Sequence, residues 1–249
     1  MELDATPNSN TLLYISANHG TKAGGFNTLL FPPASPSQMV FDQEVLWDYE
    51  AGFKLTLADN KVTFNGAAFH YDYHNYQAYD INEFTSLVTN HPAQATGSEL
   101  VLTARPIPPL TLSAFLTNMY TLRVDSVVVP AGETLTRYFP QDPKVTFGGS
   151  VSYEVPVGNG KLLLSTNWKY NTWQYFSAFN APVDYEHPYT VGNVRVSFSS
   201  GKWEVAAFVN NVTDRYYRVF DFDNSSTMGS GEGSFAPPRW YGGQVTYRF

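Results

Sequence analysis

The chain has 249 residues, a formal net charge of −7 and no cysteine. Its Lys and Arg are scattered and offer nucleic acid no electrostatic footprint, and the lack of cysteine excludes disulfides, thiol nucleophiles and Cys-based zinc sites. Charged residues make up only 15% and aromatics reach 16%, against a usual charged share of about 25%, a balance commoner in membrane β-barrels than in soluble domains.

The first ten residues, "MELDATPNSN", lack the basic region and apolar stretch of a signal peptide. No apolar run approaches the ~18 residues of a transmembrane helix. Two-residue periodicity then dominates, which predicts strands. They are expected near 11–18, 44–57, 61–76, 94–106, 110–122, 144–155, 161–172, 189–198, 202–210 and 239–249. In "EVLWDYEAGFKLTL", Val45, Trp47, Tyr49, Ala51, Phe53 and Leu55 alternate with Glu44, Asp48, Glu50, Lys54 and Thr56. The next strand is ambiguous: Val62 and Phe64 select one apolar face, and Phe69, Tyr71 and Tyr73 select the other. A bulge at Gly66-Ala67-Ala68 would reconcile them. Phe147, Val151 and Tyr153 oppose Thr146, Ser150 and Ser152, and Leu162, Leu164 and Trp168 oppose Ser165, Asn167 and Lys169. In the last strand Tyr241, Val245, Tyr247 and Phe249 keep one face apolar to the final residue.

Most of these strands are longer than the ~5–6 residues common in globular sheets, and they suit the ~9–11 residues a tilted strand needs to cross hydrocarbon. Connections alternate in length. Short ones fall at 58–60, 107–109, 156–160 and 199–201, and long ones at 19–43, 77–93, 123–143, 173–188 and 211–238. In an up-and-down sheet every second connection lies at the same end. The expected fold is therefore all-β: part of a transmembrane antiparallel barrel of about ten long strands, with short periplasmic turns and long extracellular loops.

Few residues point to chemistry. His70, Asp72 and His74 alternate on one strand, where His70 and His74 stand too far apart to share a metal. No metal, cofactor or catalytic site is expected; Glu99, Thr103 and Arg105 read as polar residues lining a lumen. "GSGEG" at 229–233 is followed by no helix, so it is no phosphate cradle. Loops carry function, and the loop at 211–238 mixes charges and aromatics suited to a small nutrient: Arg215, Tyr216, Tyr217, Arg218, Phe220 and Asp221. The loop at 19–43 is rich in Gly, Pro and apolar residues.

Several stretches together resemble the C-terminal part of the TonB-dependent receptor barrel. They are Gly24-Gly25-Phe26-Asn27 at the exit of a strand, Tyr49-Glu50-x-Gly52-x-Lys54, Asn90 before Gly97-x-Glu99, and Asn211-x-Thr213-Asp214-x-x-Tyr217. The closing "PPRWYGGQVTYRF" is similar to the strand read by the outer-membrane barrel assembly machinery, through Tyr241, Val245, Tyr247 and Phe249. The resemblance covers almost all of residues 1–249 as one incomplete barrel domain, since the family barrel has 22 strands and a plugged lumen. It implies a Gram-negative outer-membrane receptor that takes up a siderophore, vitamin, saccharide or aromatic compound and is not an enzyme. Its partners would be outer-membrane lipid, the nutrient, a plug domain and the TonB energising complex. With neither plug nor TonB box in the sequence, the chain is expected to be a fragment, a truncated product or half of a split receptor, unable to transport alone. Other readings stay open: a complete passive barrel of porin or adhesin type, a soluble carbohydrate-binding β-sandwich, or a gene remnant.

Overall fold

The computed structural model describes residues 1–28, 38–82, 85–128, 132–224 and 230–249. Strand β1 is Glu2–Asn8 and β2 is Thr11–Lys22. Two short pieces follow, β3 (Gly25–Phe26) and β4 (Val40–Phe41). The long strands β5 (Glu44–Leu57), β6 (Val62–Asn82), β7 (Thr85–Ala104) and β8 (Leu110–Val128) come next. After β9 (Thr134–Arg137) come β10 (Val145–Val157) and β11 (Gly160–Asn171). A loop carries β12 (Gln174–Tyr175) and β13 (Tyr185–Glu186), flanking one helical turn at Pro182–Asp184. The chain ends with β14 (Tyr189–Ser200), β15 (Trp203–Asn210), β16 (Arg218–Asn224), β17 (Ser230–Phe235) and β18 (Trp240–Tyr247).

Eleven strands form one antiparallel sheet, in the order β1-β2-β5-β6-β7-β8-β10-β11-β14-β15-β18, with β9 on the far end of β8. The short turns all meet at one end. Thr56 N–H donates to Asn10 O, Arg105 to Lys61 O, Glu154 to Pro109 O and Arg248 to Lys202 O. Gly158 and Gly201 open two of these turns in the left-handed region, at φ 59° and 55°, where a side chain would be strained. β3–β4, β12–β13 and β16–β17 all lie at the opposite, loop end.

The register sorts residues into an apolar and a polar face. Phe147, Val151 and Tyr153 of β10 share the apolar face with Leu164 and Trp168 of β11 and Val196 and Phe198 of β14. On the polar face Ser150 pairs with Asn167, which pairs in turn with Asn193. Large apolar side chains on the first face stay open: Phe147 is 48% exposed, Leu164 41% and Val205 52%. A soluble sheet would bury this surface against a second layer.

Four expectations need correction. The sheet gains a strand at its start, because Glu2, Leu3, Asp4 and Ala5 pair with Ser16, Ile15, Tyr14 and Leu13. The "loop" at 77–93 is mostly strand: β6 and β7 continue as a tall hairpin, with Gln77 opposite Asn90 and Asn82 opposite Thr85. Pairing of β5 with β6 is unbroken from Val45–His74 to Leu57–Val62, so Gly66-Ala67-Ala68 is no bulge. The irregularity lies at His74–Asn75, with Asn75 at φ 59°. Phe69, Tyr71 and Tyr73 therefore belong to the polar face, beside Glu50 and Asp48. Finally, β18 ends at Tyr247, with Arg248 N–H still bonded to Lys202 O, and Phe249 lies beyond it, fully exposed.

Those three inward aromatics nucleate the largest apolar cluster of the described residues. Phe69 lies over Gly97, where an added Cβ would meet its Cζ at 2.6 Å, and Tyr73 is opposite Ala93. In β8 a bulge at Tyr120 reverses the alternation, so Leu122 and Val124 join Met119 on the same side. Phe139 closes the cluster from the 138–143 segment, 4.9 Å from the Tyr76 ring and 5.7 Å from Tyr73. Burial of one such ring stabilises by about 1.5–3 kcal/mol. The loop end is thus built on an apolar footing inside the polar face.

Candidate functional site

Carboxamide side chains fasten the loops at the loop end. An amide carries both a donor and an acceptor and can imitate a peptide group. Asn27 donates to Gln38 O (2.8 Å) and Val88 O (3.0 Å) and accepts from Val88 N–H (2.8 Å). Asn90 accepts from Asp42 N–H (2.7 Å) and donates to Asn75 O (2.9 Å). Asn211 donates to Arg215 O (2.9 Å) and Pro237 O (3.2 Å) and accepts from Arg215 N–H (3.0 Å). It thereby draws together both ends of the 211–238 loop. Asp214 caps the same junction, accepting from Arg239 N–H at 3.0 Å.

The loop residues expected to meet a ligand divide into two groups. Arg218 is committed internally: it is ion-paired with Glu186 (3.0 Å) and Asp221, donates to Val183 O (2.8 Å) and Tyr185 O, and lies 5.5 Å from the Phe176 ring. Glu186 and Asp221 are both buried. This clamp ties the 173–188 loop to the β16–β17 hairpin. Tyr217 stacks on Tyr189 at 4.3 Å, and burial raises its phenol pKa. Tyr216 and Phe220 are open, at 65% and 47% exposure. Tyr216 leans on Phe235 at 5.2 Å. Arg215 reaches Pro188 O at 3.5 Å. Of the apolar loop at 19–43, residues 29–37 lie outside the described residues, as does Gly229 of "GSGEG".

Sequence reasoning missed the densest aromatic group of this end. Trp173 lies 5.0 Å from Tyr138, 5.9 Å from Tyr175 and 5.9 Å from Tyr185, and Tyr185 lies 5.0 Å from His187. The available signal was the two-residue spacing of Trp173 and Tyr175, and of Tyr185 and His187, on either side of a turn. The Tyr138 backbone is fixed by Asn180, which accepts from its N–H at 2.6 Å. Tyr138 remains 46% exposed. Half-open rings on a braced frame can take up an apolar or planar ligand surface.

Below the loops, the polar face carries hydrogen-bonded ladders. Asn193 donates to Asn167 (2.8 Å), Arg195 to Gln244 (2.9 Å) and Arg248 to Glu204 (2.9 Å). His70, on the apolar side, pairs with Thr96 Oγ1 at 2.8 Å, and His74 lies 3.7 Å from Asp72. On the closing strand, Tyr241, Val245 and Tyr247 share the apolar face, and the Tyr247 ring lies 4.7 Å from Trp203 and 5.3 Å from Phe249.

The family profile described as "TonB dependent receptor-like, beta-barrel" matches residues 4–212. The fold is similar to the ferric yersiniabactin uptake receptor FyuA from Yersinia pestis, with a TM-score of 0.79 and 20% identity, over 100% of this chain and 36% of that one. It is similar to BauA, the ferric preacinetobactin receptor from Acinetobacter baumannii, with a TM-score of 0.72 and 18% identity, over 99% of this chain and 35% of that one. The copper transporter OprC gives a TM-score of 0.73 at 16% identity, over 100% of this chain and 38% of that one. The chain therefore spans little more than a third of the length of these structures, and at such identities the likeness speaks to fold.

Proposed function

Because the chain belongs to the TonB-dependent receptor-like β-barrel family, we propose that residues 1–249 act as one portion of the wall of an outer-membrane nutrient receptor. The apolar face meets lipid in the outer membrane of a Gram-negative cell, and the polar face lines the lumen. The observation that carries the reading is the sheet itself: one open apolar face, with every short turn at one end and every built loop at the other. Long exposed apolar strands are stable only where lipid covers them.

The nutrient is captured at the loop end. Tyr216, Phe220 and Arg215 offer contact surface beside the Tyr138–Trp173–Tyr185 group, while Arg218 and Asp221 hold their loops in place and Tyr217 anchors the loop base on Tyr189. The receptor works with a plug domain and the TonB energising complex, moves its substrate without chemical change, and is inserted by the barrel assembly machinery through Tyr241, Val245, Tyr247 and Phe249.

Fractionation of cells producing the chain tests this. The chain should appear in the outer-membrane fraction, need detergent for extraction, and migrate differently before and after boiling. A chain that stays folded and monomeric in detergent-free buffer refutes the reading. Deleting Phe249 should lower the amount inserted several-fold; unchanged insertion removes the role given to the last strand.

A further inference from the structure

One depression of the polar face lies among these hydrogen-bonded ladders. It lies between β11, β14, β15 and β18, lined by Asn167, Asn193, Arg195, Asn210, Trp240 and Gln244. Its floor is aromatic. The Phe208 ring reaches over Gly242, where an added Cβ would meet its Cζ at 2.2 Å. Trp240 stands perpendicular to Phe208, at 5.2 Å and 88°, and is 46% exposed. The Arg195 guanidinium lies 5.9 Å from the Phe208 ring.

The rim is rich in unused hydrogen-bonding capacity. The Asn167 carbonyl accepts from Asn193, which leaves its own NH₂ free. The Gln244 carbonyl accepts from Arg195, which leaves its NH₂ free. The Asn193 carbonyl is taken by Asn211 N–H. Arg195 spends its charge on Glu204 at 3.3 Å. The rim therefore presents fixed, uncharged donors and acceptors around a ring floor. Vicinal hydroxyls match carboxamides pair by pair, and the C–H face of a pyranose stacks on an aromatic ring. A ferric chelate or free anion would meet no unspent cation on this rim.

We infer that this depression binds a saccharide, as the lumen-wall subsite for a neutral oligosaccharide or a glycosylated nutrient. The inference rests on the receptor reading above and narrows its substrate class.

Outer-membrane vesicles containing the chain would be titrated with maltohexaose, cellohexaose and xylohexaose, and separately with a ferric tris-catechol complex. At least one hexasaccharide should bind. The double variant Asn167→Ala/Gln244→Ala should bind it at least tenfold more weakly while keeping its heat-modifiable migration. In the unaltered chain, bound saccharide should slow hydroxyl-radical oxidation of Trp240 several-fold and leave Trp203, on the opposite face, unchanged. No binding of any hexasaccharide, or Trp240 oxidised at equal rates with and without it, overturns the inference. Binding of the ferric catechol alone overturns it too, yet leaves the receptor reading standing; a chain missing from the outer membrane removes both.

Discussion

Asn211 combines two properties that few side chains share. It sits at φ 52°, a conformation Asn tolerates better than most L residues, and its amide joins Arg215 and Pro237 across the loop. Asn211→Ala should lose both, at about 1–3 kcal/mol for the orphaned partners, seen as faster amide exchange across 211–217. Asn211→Gly should recover the backbone part only. Arg218 poses a different problem. Its removal takes the guanidinium away from the buried carboxylates Glu186 and Asp221, so Arg218→Ala should cost about 3–5 kcal/mol and expose 173–188 to protease. Asp142 lies in the loop after β9, and desolvation raises its carboxyl pKa above the ordinary value. The folded chain then holds this proton more tightly than the unfolded one. Its contribution is most favourable below the ordinary carboxyl pKa and is lost as pH rises through the raised value. Asp142→Asn should therefore raise the thermal midpoint at pH 7 and flatten its dependence on pH between mildly acidic and neutral solution. The sequence displays Asn211 and its neighbours as a pattern. It cannot display the Arg218 clamp, whose partners lie 32 residues away in Glu186 and 3 away in Asp221.

Strands here are aligned by aromatic–glycine pairs as much as by the ladder. Tyr14 faces Gly52, Phe53 faces Gly66, Phe69 faces Gly97, Phe115 faces Gly148, Trp168 faces Gly192 and Phe208 faces Gly242. In each case the ring lies where a Cβ would otherwise stand, within 3 Å of its position. A ring over glycine recovers apolar contact for an otherwise weak strand position and resists register slip. Gly192→Val should displace Trp168 and broaden the unfolding transition, an effect that Trp168→Ala in the same chain should partly relieve. The two faces also predict a sharp asymmetry. Phe147→Arg or Leu164→Arg, on the apolar face, should cost about 2–4 kcal/mol near the midplane in a lipid folding titration, and Ser165→Arg little. Equal costs would mean that the faces are assigned wrongly. Period-two alternation made most of these elements legible. It failed in β6, where rings occur on both faces, because a half-buried lumen wall accepts Tyr and Phe as readily as lipid does.

At the scale of the molecule, the sheet separates tryptophans by face. Trp47, Trp168 and Trp203 stand on the apolar side, and Trp240 on the polar side. Lipids brominated near the headgroup should quench single-tryptophan chains retaining Trp47, Trp168 or Trp203, since Trp and Tyr collect at the interface. A chain retaining only Trp240 should not be quenched; quenching there would place its strand the other way round. The sequence alone determined the fold class, the alternation of short and long connections, the face of most strands and the family, because each depends on spacing within a few residues. Tertiary structure decided the rest: that the 77–93 segment is a tall hairpin, that Phe69, Tyr71 and Tyr73 point inward, and that Arg218 is spent on holding loops. These depend on which strand lies alongside which, and on charges brought together from separate loops, and local periodicity carries no record of either.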